Sequence, residues 1–250
     1  LTRERSRHHK ERRAMTEDDK AWQDNYDARR SFFEAYFGPI PKDILKMLNM
    51  SGVWPGGGLF VIPASKLDEP DLAVYTTFGL SNPDMPTTMR LTDLRLESDG
   101  TRPTKAEGRL QQKQPAPRRP GAAGYGYEIM IITDKEQQWP LGFLQWAVGA
   151  EITNDVGLLG RVEEYEGLTV EEIRVGPRES IDVLIAKAEP PLPPGAMLPA
   201  GRMDLLVATT ITKEEMRWSM ENGRTALLEK LGEGGLGQTS MFGRQRSVDL

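Results

Sequence analysis

The sequence predicts an α+β domain: a mixed β-sheet of about six or seven strands with helices packed against it. Three observations carry this. Gly124–Ile132 reads GYGYEIMII, so Tyr125, Tyr127, Ile129 and Ile131 alternate with Gly126, Glu128, Met130 and Ile132. Period two in aromatic and β-branched residues marks a half-buried strand with one strongly apolar face. After the polar break Asp134–Gln138, Trp139-Pro140 opens a helix that places Leu141, Leu144, Val148 and Ile152 on one side. Proline suits the first helical position, where its missing N–H has no intrahelical acceptor. Finally, the apolar run Met203–Ile211 reads as a central strand and passes into Thr212-Lys-Glu-Glu215. That is a capping box, in which the Thr hydroxyl caps the helix and Glu215 reaches back to the cap amide.

Composition bounds the rest. A chain of 250 residues makes one domain with tails. Such a chain buries on the order of 70% of its unfolded surface and needs no staples. It has no cysteine, which excludes disulfides, thiolate nucleophiles and Cys-ligated zinc and suits a reducing, cytoplasmic location. There is no apolar run of about 18 residues, so no membrane span is expected, and the charged start has no signal-peptide core. The net charge of −5 argues against a general nucleic-acid binder. Charge is unevenly placed. Leu1–Ala14 holds six Lys/Arg against Glu4 and Glu11, a net +4 that leaves −9 on the remainder. Residues 1–15 are expected to be a basic disordered tail, and the folded domain to span residues 16–231.

Taken in order, Thr16-Glu-Asp-Asp19 starts a helix, with Thr as cap and acids in the first turn. Trp22, Tyr26, Phe33 and Phe37 recur at helical spacing and form its docking stripe. Gly38–Pro41 ends it, and a short helix over Lys42–Asn49 follows. The Gly-rich Gly52–Gly58 lacks the Lys and hydroxyl of a phosphate loop and precedes a strand, so it reads as a turn. Leu59–Pro63 and Leu72–Leu80 pair as a hairpin; Ser81–Pro86 is a turn; Met89–Leu96 is a further strand. Residues 97–123 carry almost no large apolar side chain and are expected to be a mobile insertion. Limited trypsinolysis should cut first at Arg102, Lys105 or Arg118; early cleavage within Tyr127–Ile152 would contradict this. Gly157–Gly167 reads as a loop, Leu168–Val175 and Ser180–Lys187 as strands joined at Gly176-Pro177, and Glu189–Gly201, with five prolines, as a stiff loop. The late helix carries Met216 and Met220 on one face. Gly223 interrupts it, and Thr225–Leu231 forms a second helix stopped by Gly232. Residues 232–250, rich in Gly, Ser and Gln, are expected to be a disordered tail.

The chemistry is bounded mainly by what is missing. Both histidines, His8 and His9, lie in the basic tail. The expected domain therefore has neither imidazole nor thiol for nucleophilic, acid–base or metal-binding work. No catalytic, metal or cofactor residue is assigned. The adjacent acids Glu163-Glu164, Glu171-Glu172 and Glu214-Glu215 diverge on a strand or helix and read as solvated faces. The alternative to a binding module is a hydrolase whose carboxylate site is assembled across the fold.

Three segments carry a family resemblance: GYGYEI followed by a polar gap, WP and LGFLQWAVGAEI; VYTTFGLS at Val74–Ser81; and VATTITKEEMRWSMENGRTALLEKL at Val207–Leu231. In this order and spacing, across roughly Phe33–Leu231, they resemble the suppressor of fused domain in its single-domain bacterial form. The resemblance implies a non-enzymatic protein-binding module. Animal members sequester a transcription-factor peptide, and bacterial members look like immunity proteins that neutralise a cognate toxin. The aromatic and acidic ligand-contacting positions of the animal members have no match here: Pro83-Asp84-Met85 follows the FGLS segment, and Arg118–Ala123 offers neither residue type. The expected partner is another protein, a basic toxin domain, with no nucleic acid, membrane or cofactor. The contact is expected at Asn82, Asp84, Met85 and Tyr125, on the turn and strand entry where side chains can face outward without cost to the core.

Overall fold

The strand at Gly124–Ile132 is the middle of the molecule. It extends over Ala122–Thr133 and is buried on both faces, not one. Tyr125, Tyr127, Ile129 and Ile131 enter one apolar layer; Ala123, Met130 and Ile132 enter another on the opposite side. The sequence pattern expected a half-buried strand. The glutamate that suggested a wet face, Glu128, is itself fully buried.

The computed structural model describes residues 16–42, 54, 56–67, 71–98, 103–134, 137–176, 179–244 and 246–250. The basic tail over 1–15 and, beyond Lys42, the short helix expected to Asn49 lie outside them. In chain order the elements are α1 (Glu17–Tyr36), β1 (Gly58–Pro63), β2 (Ala73–Phe78), β3 (Met89–Ser98), β4 (Pro103–Gln112), β5 (Ala122–Thr133), α2 (Trp139–Val148) with a π-helical turn Gly149–Thr153, α3 (Leu158–Glu164), β6 (Leu168–Arg174), β7 (Ser180–Lys187), β8 (Gly195–Leu198), β9 (Gly201–Ile211), α4 (Lys213–Asn222), α5 (Arg224–Glu233) and β10 (Thr239–Ser240).

The main sheet has eight strands in the order β1-β2-β5-β9-β7-β6, with β10 on β5 and β8 on β9. Its centre is the parallel pair β5–β9, and the remaining long pairs are antiparallel. On one face, Phe143, Leu144, Val148 and Ile152 of α2 and its π turn, with Leu158 and Val162 of α3, cover the tyrosine–isoleucine face of β5. On the other face, Phe33 of α1 and Phe37, its C-cap, pack on Phe60, Phe78, Met130 and Val207. Beside them α4 and α5 cover Leu184, Ala186 and Ile211. Both expected N-caps are present as full capping boxes, Thr16 with Asp19 and Thr212 with Glu215.

Several elements differ from the sequence reading. Gly157–Gly167 contains α3, because Leu158, Leu159 and Val162 bury one short helical stripe. The proline-rich loop contains β8, paired with the start of β9. Within 97–123, residues 103–112 form β4, whose only strand partner among the described residues is β3. Met216 is buried but Met220 is 63% exposed, so only the first serves the α4 packing face. Over 232–250 the chain is tied down at several points. Thr239 and Ser240 pair with Ile132 and Thr133, Phe242 stacks on Trp139 at 5.6 Å, and Arg244 donates to both oxygens of Glu215 at 2.7 and 2.6 Å. Glu215 is therefore fully buried and not part of a solvated face. Burial alone would raise its carboxyl, but Arg244 and the amides of Thr212 and Val248 hold it below the ordinary range. Among the described residues, no helix is long and apolar enough to cross a membrane.

Candidate functional site

The end of β2 and the turn after it, Phe78–Pro86, are built around one buried carboxylate. Glu128 projects from β5 and accepts hydrogen bonds from the amides of Gly79 at 2.8 Å, Ser81 at 3.0 Å and Leu80 at 3.3 Å. The hydroxyls of Thr77 and Ser81 donate to it at 2.7 Å each. Its counter-charge comes from α1: the Arg29 guanidinium lies 3.4 Å away, and both side chains are fully buried. Arg29 also donates to Ser81 Oγ at 2.8 Å and Asn82 Oδ1 at 2.7 Å, and sits 4.2 Å from the centre of the Phe78 ring. Burial pulls the guanidinium below its ordinary value, and Glu128 opposes that shift. Asn25, one helical turn earlier, donates to Ser81 O and accepts from the Ala200 amide. One face of α1 thus clamps the turn after β2 to the loop before β9.

Glycines make the turn possible. Gly79 has φ +149°, and a Cβ there would lie 2.6 Å from Trp54 Nε1. Gly124 has φ +59°, and its Cβ would run into the carbonyl oxygens of Leu80 and Asn82. Both positions need a residue without a Cβ. The close approach lets the Tyr125 amide donate to Leu80 O at 2.9 Å, which fixes the start of β5 to the turn.

Of the four residues expected at the contact surface, only Asp84 is exposed. Asn82 is 1% exposed and turned inward to Arg29, Met85 is 0% exposed in the core, and Tyr125 is 7% exposed. The Tyr125 hydroxyl is raised above its ordinary value, first by burial and then by Glu151 and Asp155. The outward surface here consists of Pro83, Asp84 and Arg118, which donates to Pro83 O at 2.6 Å. Beside it lies a cleft of about 310 Å³ lined by Ala21, Pro83, Arg118, Gly124, Pro199 and Ala200 among others.

Sequence reasoning missed Asn25, Arg29 and Glu128. A signal was present: Asn25 and Arg29 share the helical stripe with Tyr26, Phe33 and Phe37, so a cation lay on a face assigned to the core.

A second polar cluster flanks Ala122 on the other side. Glu163 accepts from Arg119 and, at 2.7 Å, from Lys187. Asp204 accepts from Lys187 at 3.0 Å and Arg202 at 2.6 Å. Burial raises the Glu163 carboxyl, but Lys187 and Arg119 prevail and hold it below its ordinary value. A further buried carboxylate, Glu151, accepts from the Tyr127 hydroxyl and the amides of Gly157 and Leu158, pinning the entry to α3. Burial and Glu151 raise the Tyr127 hydroxyl well above its ordinary value. The adjacent acid pairs do not converge: Glu163 is held by cations, Glu171 and Glu172 are exposed on β6, and Glu215 lies under Arg244. Among the described residues, no group of three His, Cys, Asp or Glu could hold a metal ion.

The model of the suppressor of fused protein family (SUFU) matches residues 39–245. The chain belongs to the suppressor of fused family. A suppressor of fused homolog from Neisseria gonorrhoeae FA 1090 superposes with a TM-score of 0.52 at 14% identity, over 92% of this chain and 98% of that one. Drosophila Suppressor of Fused gives 0.45 at 14% identity, over 76% of this chain and 42% of its own. A structure of the Sufu–Fu complex gives 0.49 at 14%, over 91% of each chain. A search of curated proteins returns no match. Against the suppressor of fused fold of the Neisseria protein, the α+β architecture and the mixed sheet expected from the sequence are both borne out.

Proposed function

We propose that this suppressor of fused domain is a non-enzymatic protein-binding module whose contact surface is the Pro83–Asp84 turn and the adjoining cleft at the start of β5. We further propose that its partner is a basic protein, a toxin domain that it neutralises. The observation that carries this is a turn that faces solvent while being locked from beneath. Five donors on Thr77–Ser81 converge on Glu128, and Arg29 bridges that carboxylate to Asn82. A surface ordered before binding loses little entropy on complex formation. The cleft walls are small or rigid residues, Ala21, Gly124, Pro199 and Ala200, which let a partner backbone approach closely. Residues outside the basic segment carry −9, which steers a basic partner in and makes association salt-sensitive.

The test is co-expression with the product of the adjacent gene. Asp84→Arg is expected to weaken the complex at least about tenfold, or about 1.4 kcal/mol, in a protein that still folds because Asp84 is exposed, with a small fall in melting temperature because the lost charge favours the buried Arg29 guanidinium. Added salt should slow association of the wild type. Met85→Asp would test the fold instead, since Met85 is fully buried. Unchanged affinity in folded Asp84→Arg would place the interface elsewhere.

A further inference from the structure

β3 and β4 form a two-stranded sheet of their own, outside the main sheet. Met89 and Leu91, near its base, pack against the core, and Lys113 ties the same end down by donating to Ile152 O at 2.7 Å. The two edges of this hairpin differ. On β3 the register shifts between Thr92 and Arg95, and Asp93 takes φ +54°. A bulge of this kind spoils an edge for further pairing. Opposite it, β4 gives up only Gly108 to the bulge between Lys105 and Gln112. Lys113 donates its amide to Thr88 O at 2.7 Å, so alternate residues 109, 111 and 113 direct their backbone groups toward β3. Residues 108, 110 and 112 direct theirs to the outer edge. That edge is solvent-facing: residues 107–112 are all exposed, Leu110 by 50%.

The order of residues on this edge is self-complementary. We propose that β4 pairs antiparallel with β4 of a second copy of this chain, about a two-fold axis at Gly108, to give a four-stranded β3-β4-β4-β3 sheet. With the axis at Gly108, the outward amide and carbonyl of Gly108 meet those of its counterpart, and Leu110 falls opposite position 106. Glu107 falls opposite Arg109, twice by symmetry. Residues 107 and 109 then occupy non-hydrogen-bonded positions, where side chains of facing strands approach most closely and opposite charges stabilise the pair. A two-fold interface requires such self-complementarity. A two-stranded hairpin is marginal on its own and gains from added strands. The edge residues 107–112 are distinct from Pro83, Asp84 and Arg118 of the proposed partner surface, so the two readings stand or fall separately.

Sedimentation velocity and light scattering on the full chain test it, with circular dichroism to show that each variant is folded. The wild type is expected to dimerise reversibly. Glu107→Arg sets two arginines face to face at both symmetry-related pairs, and Arg109→Glu sets two glutamates face to face there. Each change alone should weaken the dimer at least about tenfold. Mixing the two variants restores opposite charges at both pairs and should yield a heterodimer, and the double variant Glu107→Arg/Arg109→Glu should dimerise like the wild type. A monomeric wild type, a dimer indifferent to either reversal, or a mixture that stays monomeric would overturn the proposal.

Discussion

Glu128→Gln should cost about 3–5 kcal/mol of stability, the range for breaking a buried ion pair by removing one partner. The substitution keeps the shape of the side chain and removes its charge. Arg29 then remains fully buried with only the exposed Asp84 left to oppose its charge. The carboxamide also offers one oxygen where the carboxylate accepts from three amides and two hydroxyls on its two oxygens. Arg29→Met should be comparably damaging, because it leaves Glu128 buried with only neutral donors. The double variant should cost less than the two singles added together, since the residues share one network. Urea melts read all three through the midpoint and slope. A loss below about 1 kcal/mol for Glu128→Gln, against that range, would mean that the turn holds its shape without the charge.

Leu144→Ala should cost about 2–5 kcal/mol, as for other buried leucines whose removal leaves a cavity. Leu144 is fully buried where α2 lies on the β5 face of the sheet, with Phe143, Ala147 and Val148 on the same helix. Its neighbours come from several elements and cannot collapse together without shifting β5. A loss below about 1 kcal/mol in the same melts would contradict the cavity estimate and make α2 peripheral. The two predictions probe different forces: the first concerns a desolvated charge and its donors, the second lost dispersion and transfer of a hydrocarbon side chain.

The candidate surface shows how far sequence reaches. The turn at Ser81–Pro86 was legible from Asn-Pro-Asp, and the strand after it from its alternation. The orientation of Asn82 and Met85 was not. A turn residue faces outward only if the backbone beneath it has other partners. Here the turn's amides are taken by Glu128, 47 positions beyond Ser81, while Asn82 is recruited by Arg29, 53 positions before it. Only Asp84, with no inward bond to make, stands where the sequence placed it.

What the sequence determined by itself was local. Period two in Tyr125–Ile131, the Trp139-Pro140 helix start, the Thr16 cap and the Thr212–Glu215 capping box depend on residues within a few positions of each other, so the chain declares them wherever it lies. Its lack of cysteine, with both histidines near the start, bounded the chemistry in the same way. The tertiary structure alone decided which charges are inside. Glu128 and Glu215 look like solvent-facing acids by periodicity, yet each is buried because a cation from a distant segment, Arg29 or Arg244, arrives to neutralise it. It also decided that β5 is covered on both faces, since the second cover comes from α1, nearly a hundred residues upstream. Helical and strand periods report a residue's direction relative to its own backbone; what waits in that direction is set by elements the local pattern does not contain.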